Sequence, residues 1–156
     1  MREANPVTFS PDNARILIRS MAGVQIVNLE TLEEENFLQA PQNVYYAALS
    51  PNGETLAWSL EDYTIQLVRI ADQAVLSTLE GHPDTVFSPD SQYVAADLAT
   101  GLFVWRVEDG ELVWDEPSST MTATFSPDGR YLAYSDFALG TQVFLLSPDD
   151  FQTVKF

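Results

Sequence analysis

His82 is the only imidazole in the chain and cysteine is absent, so acyl transfer through a Ser-His-Asp or Cys-His device has a single possible base and no thiol nucleophile. No Gly-x-Ser-x-Gly elbow supplies a serine to pair with it. Carboxylate pairs are plentiful, at Glu61-Asp62, Glu108-Asp109, Asp115-Glu116 and Asp149-Asp150. Glycosidase or metal chemistry needs two such groups held several Å apart in one cleft. Neighbours on a turn point apart, so these pairs read as solvated loop charge, and the run Glu33-Glu34-Glu35 reads as a wet connection able to receive a basic segment. No spacing matches an EF-hand loop, a phosphate-cradling glycine loop or a dinucleotide fingerprint. No catalytic, cofactor-binding or metal-ligating residue is therefore assigned, no cofactor is expected, and the chain is expected not to be an enzyme. His82 is expected to be structural, a loop histidine bonding within its own unit beside Trp105.

The elements that carry these residues belong to a folded, acidic chain of 156 residues, 46% hydrophobic and 19% charged. Twenty-three acidic residues against seven basic ones give a net charge of −16. No basic stripe exists to neutralise phosphates or meet anionic lipid, so neither nucleic acid nor a membrane surface is an expected partner. The opening MREANPVTFS has no apolar stretch after its basic residue, and the longest uninterrupted apolar run is Val44 to Leu49. Neither a leader nor a membrane span is expected, and the cytoplasm is the expected location.

One string returns four times: Phe9-Ser10-Pro11-Asp12, Leu49-Ser50-Pro51-Asn52, Phe87-Ser88-Pro89-Asp90 and Phe125-Ser126-Pro127-Asp128, with the serines 40, 38 and 38 residues apart. Pro11, Pro51, Pro89 and Pro127 preset φ for the second position of a tight turn, and the Asp or Asn bonds its own backbone just beyond. Asn13, Gly53 or Gly129 follows and tolerates a left-handed conformation; Ser91 makes the third copy the weak one. Two apolar, β-prone segments follow every turn, such as Arg15 to Ser20 with Val24 to Leu29, and Tyr93 to Leu98 with Leu102 to Val107. A further strand is expected before each turn and another at the end of each unit. Leu29 to Ala40 is the one stretch where a short helix competes. Four strands per unit is the make-up of a propeller blade. The expected fold is thus all-β: four four-stranded antiparallel blades at about 1–40, 41–80, 81–117 and 118–156.

The phrase Phe125-Ser126-Pro127-Asp128-Gly129-Arg130-Tyr131-Leu132-Ala133 resembles the central stretch of a WD40 repeat. Leu79-Glu80-Gly81-His82, followed later by Leu102-Phe103-Val104-Trp105, resembles that family's Gly-His and Trp-Asp landmarks. The Trp-Asp position itself reads Val27-Asn28, Val68-Arg69, Trp105-Arg106 and Phe144-Leu145, so no intact pair exists. The Ser-Pro-Asp-Gly turn is also similar to propeller repeats of the TolB and prolyl-oligopeptidase type. Either resemblance implies a propeller, and neither implies a ligand. In WD40 blades a His, a Trp, a Ser or Thr and an Asp share a buried hydrogen-bond network; the third unit matches it only at His82 and Trp105. Only five residues separate His82 from Ser88, so its inner strand is expected to be short.

The strands run apolar on successive positions, as in Ile16-Leu17-Ile18 and Val143-Phe144-Leu145-Leu146, which requires both sheet faces to be covered. Repeat units cannot bury their apolar faces alone, and terminal units normally carry polar caps. The first and fourth units show none. Their outer faces are expected to be covered by a second copy, which closes an eight-bladed ring with two-fold symmetry. Ile16, Ile18, Ile26, Leu132, Tyr134 and Phe144 are the expected interface residues. Of Tyr45 and Tyr46, one is expected to face a neighbouring blade and the other the central channel. The expected role is a scaffold that binds another protein, with an accessory propeller fragment of a hydrolase, or an assembly-only fragment, as alternatives.

Overall fold

The computed structural model describes residues 7–80, 85–98, 100–117, 120–136, 142–146 and 153–155. They form sixteen strands, with no helix among the described residues. The strands are β1 (Val7–Phe9), β2 (Arg15–Ser20), β3 (Gly23–Asn28) and β4 (Glu34–Gln39); β5 (Val44–Leu49), β6 (Thr55–Leu60), β7 (Thr64–Arg69) and β8 (Val75–Glu80); β9 (Thr85–Phe87), β10 (Tyr93–Leu98), β11 (Gly101–Arg106) and β12 (Leu112–Glu116); and β13 (Thr120–Phe125), β14 (Leu132–Asp136), β15 (Gln142–Leu146) and β16 (Thr153–Lys155). Each group of four is one antiparallel meander in chain order, so every sheet is local in sequence. The stretch where a helix competed is the strand β4, and β9 is short as its spacing predicts.

The repeated turn is built the same way each time. In blade three the Ser88 hydroxyl donates to the Asp90 carboxylate and accepts the Tyr93 N–H at 2.9 Å, while the Ser91 N–H reaches the Ser88 carbonyl at 2.9 Å. The same serine-to-Asp/Asn bond recurs at Ser10, Ser50 and Ser126. Asn13, Gly53, Ser91 and Gly129 all hold positive φ, between 56° and 74°. Ser91 compensates for its strained backbone with its side chain, whose oxygen accepts the Asn52 N–H from the neighbouring blade at 3.0 Å.

A register shift also recurs, at Ile26/Val27, Leu67/Val68 and Val104/Trp105, where each third strand pairs with its fourth. Such bulges sharpen local twist, and their repetition gives the first three blades one shape.

Apolar clusters lie between blades. Leu17, Val24, Ile26 and Leu38 of blade one meet Leu49, Leu56, Trp58 and Leu60 of blade two. Ala57, Ile65, Leu67 and Leu79 meet Val94, Ala96, Trp105 and Val107. Ala95, Leu102 and Val104 meet Leu132 and Tyr134. Blade two is covered on both sides, and every residue of β6 is buried. Successive apolar residues therefore serve opposite joints, which is why no in/out alternation is visible in the sequence.

Candidate interaction surfaces

The innermost strands β1, β5, β9 and β13 stand side by side, and their turn ends frame a cleft of about 570 Å³. Its walls include Phe9, Phe87, Phe125 and the four turn prolines, with Thr8, Asp12, Tyr46 and Thr124 as polar residues beside Thr85, whose hydroxyl is buried. Tyr46 is thus the channel-facing member of its pair, while Tyr45, beside a register shift in β5, is 49% exposed. Arg19 is the one described arginine outside an ion pair among the described residues. Its Nε is buried without a hydrogen bond, and burial pushes the guanidinium below its ordinary pKa while nearby Tyr46 opposes that shift.

Carboxylates are spread along the turns and hold structure rather than converge. A hydrogen bond from Ser10, then the Ala14 N–H, holds Asp12 below the usual aspartate range, and the Ser126 hydroxyl does the same for Asp128. Glu35 is lowered by the Asn28 amide and by Arg15, whose Nε lies 2.6 Å away. Glu61 and Asp62 accept from Asn43 and Gln42 at 3.0 and 2.7 Å. Asp109 is held by the Glu111 N–H and by Arg106 at 2.7 Å. Glu34 and Glu35 open β4, so the acidic run is not wholly a connection; Glu34 accepts from Gln25. Among the described residues no three His, Cys, Asp or Glu side chains gather as a metal site would require. Asp149, Asp150 and His82 lie outside the described residues. Trp105 is 7% exposed in the joint between blades two and three, its ring stacked on Phe103 at 5.8 Å.

The expected interface residues divide by strand parity. Ile16 and Ile18 lie on the outward face of blade one and are half-buried, beside Phe9, 63% exposed, and Val7, 52% exposed. Ile26 is 1% exposed, because it sits opposite Leu17 and shares that residue's inward face. Leu132 and Tyr134 are 0% and 3% exposed against blade three, Tyr134 tilted over Trp114 at 5.8 Å. These three belong to internal joints and are not available to a second copy. Phe144 pairs in register with Tyr134; its side chain lies outside the described part. The expected interface set omits Phe9 and also Tyr131, an apolar residue of the uncapped fourth unit that is 38% exposed. Counting positions from each turn serine would have found them, because those positions are the ones that meet the adjoining blade in the inner units.

The four meanders, their shared turn and their face-to-face joints decide the fold. This is a chain of β-propeller blades. The propeller chain is similar to a chain of Kuenenia stuttgartiensis hydrazine synthase, with a TM-score of 0.73 and 20% identity over 99% of this chain and 49% of that one. It is also similar to eukaryotic translation initiation factor 3 subunit I of Lodderomyces elongisporus, 39% identical over 64 residues, which are 36% of this chain and 18% of that protein. It spans about half of the structural neighbour and under a fifth of the curated relative. No family model matches it. No helix among the described residues is long and apolar enough to cross a membrane.

Proposed function

We propose that the chain is a non-enzymatic protein-interaction scaffold, a WD40-type half-propeller that pairs with a second copy to close a ring and then holds another protein on the rigid result. One contrast carries this reading: Phe9 is 63% exposed where its counterpart Leu49, inside a joint, is 3% exposed. Large aromatic and branched side chains left in water on a sheet face mark an interaction surface. The net charge of −16 supports a protein partner over nucleic acid or membrane, and the cytoplasm is the setting it suits. Initiation factor 3 subunit I is by its own name a subunit of a larger assembly, which accords with an interaction role.

Light-scattering mass over a concentration series tests the pairing. A species near twice 17.4 kDa is expected, and a well-behaved monomer at every concentration overturns it. The non-enzymatic part is tested with a panel of ester and peptidyl substrates. No turnover that disappears in His82→Ala is expected, and finding such turnover would move the chain to the hydrolase class.

A further inference from the structure

We propose that the two open faces are the halves of one recurring joint. A second copy then sets its blade four on blade one of the first, head to tail, and the same contact repeats at the other end. This rests on the pairing argued above and names the surfaces that meet.

The observation is a comparison of equivalent positions. The sixth and eighth residues after the turn serine always meet the preceding blade where one exists. They are Leu56 and Trp58 at 0% and 2% exposure, Val94 and Ala96 at 0% and 1%, and Leu132 and Tyr134 at 0% and 3%. In blade one the same positions hold Ile16 and Ile18, still apolar, yet half-buried with no blade before them. The opposite face repeats just as regularly. The seventh residue is Leu17, Ala57 or Ala95, each 0% exposed against the following blade. In blade four it is Ala133, half-buried. The fifth is Arg15, whose guanidinium lies over the next turn 3.2 Å from where a Gly53 side chain would begin, then Thr55, 6% exposed, then Tyr93, packed on blade four, then Tyr131, exposed. Register sets Ala133 opposite Leu145, and Leu145 opposite Val154. That row matches Ala57–Leu67 and Ala95–Val104, the rows that receive the next blade.

A small residue across from branched or aromatic ones is the pattern of the two inner joints beyond blade two, where Ala57 and Ala95 stand against Val94 and Leu132. Ala133 against Ile16 and Ile18 continues it. The turn offers a polar counterpart. Ser91 accepts the Asn52 N–H across a joint, and Asn13 holds the same place in blade one, with a positive φ of 56° and an exposed side chain. Because each joint needs one face of each kind, a two-fold arrangement uses both faces of both copies and leaves none open. A blade-one-to-blade-one contact would leave both blade-four faces bare.

The test uses Ile18→Asp, which damages only the blade-one face, and Ala133→Arg, which damages only the blade-four face, each measured by sedimentation alone and mixed. Alone, each is expected to dissociate at least about 100-fold more readily than the unaltered chain. Mixed in equal amounts, they are expected to regain a dimer, since one joint is then undamaged and the other sets Asp against Arg. That recovery also demonstrates that both variants fold. Asn13→Gly, which keeps the left-handed turn, is expected to weaken pairing roughly 2- to 10-fold. If Ala133→Arg pairs normally while Ile18→Asp does not, the joint is wrong and self-pairing through blade one survives. Failure of the mixture to recover, or an unchanged constant for Asn13→Gly, also counts against the joint. If the unaltered chain is itself monomeric, both the joint and the pairing fall.

Discussion

Removing the turn hydroxyl should cost different amounts in different blades, although the local sequence is nearly the same. Ser88 is 0% exposed, and its oxygen accepts the Tyr93 N–H at 2.9 Å while its hydroxyl donates to Asp90. Ser88→Ala leaves that N–H without a partner in a place water does not reach, which costs about 1–3 kcal/mol. The Asp90 bond adds less, because that carboxylate is exposed and recovers water. A total of about 2–3 kcal/mol follows. Ser126 makes the same contacts to Tyr131, at 3.0 Å, and to Asp128, at 2.6 Å, but no following blade covers it. Water replaces its hydroxyl, and Ser126→Ala should cost about 1 kcal/mol or less. Urea unfolding in the Ile18→Asp background keeps the outer faces in water. With a slope of about 2 kcal/mol per molar, the midpoint should fall by roughly 1 M for Ser88→Ala and by about 0.5 M or less for Ser126→Ala. Equal losses, or a larger loss at Ser126, would refute the claim that cover by the next blade sets the cost.

Other expectations follow from the same geometry. Gly23 has φ 146°, and a Cβ there would lie 2.0 Å from the Leu38 carbonyl oxygen, so Gly23→Ala should cost about 2 kcal/mol or more. Gly129→Ala meets nothing closer than 3.7 Å and should cost about 1 kcal/mol, for its left-handed backbone alone, in the same urea assay. Asp12 and Asp128 have folded pKa values below the ordinary 3.8, so the unfolded chain takes up protons first. Their contribution is complete above that value and is lost as pH falls below it toward the folded values. Thermal melts should therefore show a decline setting in below about pH 4, and a stability maximum there would contradict it. Each copy carries −16, so raising salt from 0.1 M to 1 M, which shortens screening from about 10 Å to about 3 Å, should tighten pairing. A dissociation constant that rises with salt at constant pH would count against electrostatic opposition between the halves.

The sequence alone determined the repeat, the turns and the blades, because each is local. Ser-Pro-Asp/Asn sets its own backbone within a few residues, and every sheet is a meander of neighbours, so spacing and turn chemistry suffice. It also established that the chain is acidic and carries one imidazole. What the tertiary structure decided is direction. Ile16-Leu17-Ile18 is apolar at every step, and only packing on blade two assigns Leu17 to an inner joint and its neighbours to the open face. The same parity moved Ile26, Leu132 and Tyr134 from the expected outer surface into internal joints. Side chains on successive strand positions point to opposite faces, but a run that is apolar on both faces carries no mark of which side its partner occupies.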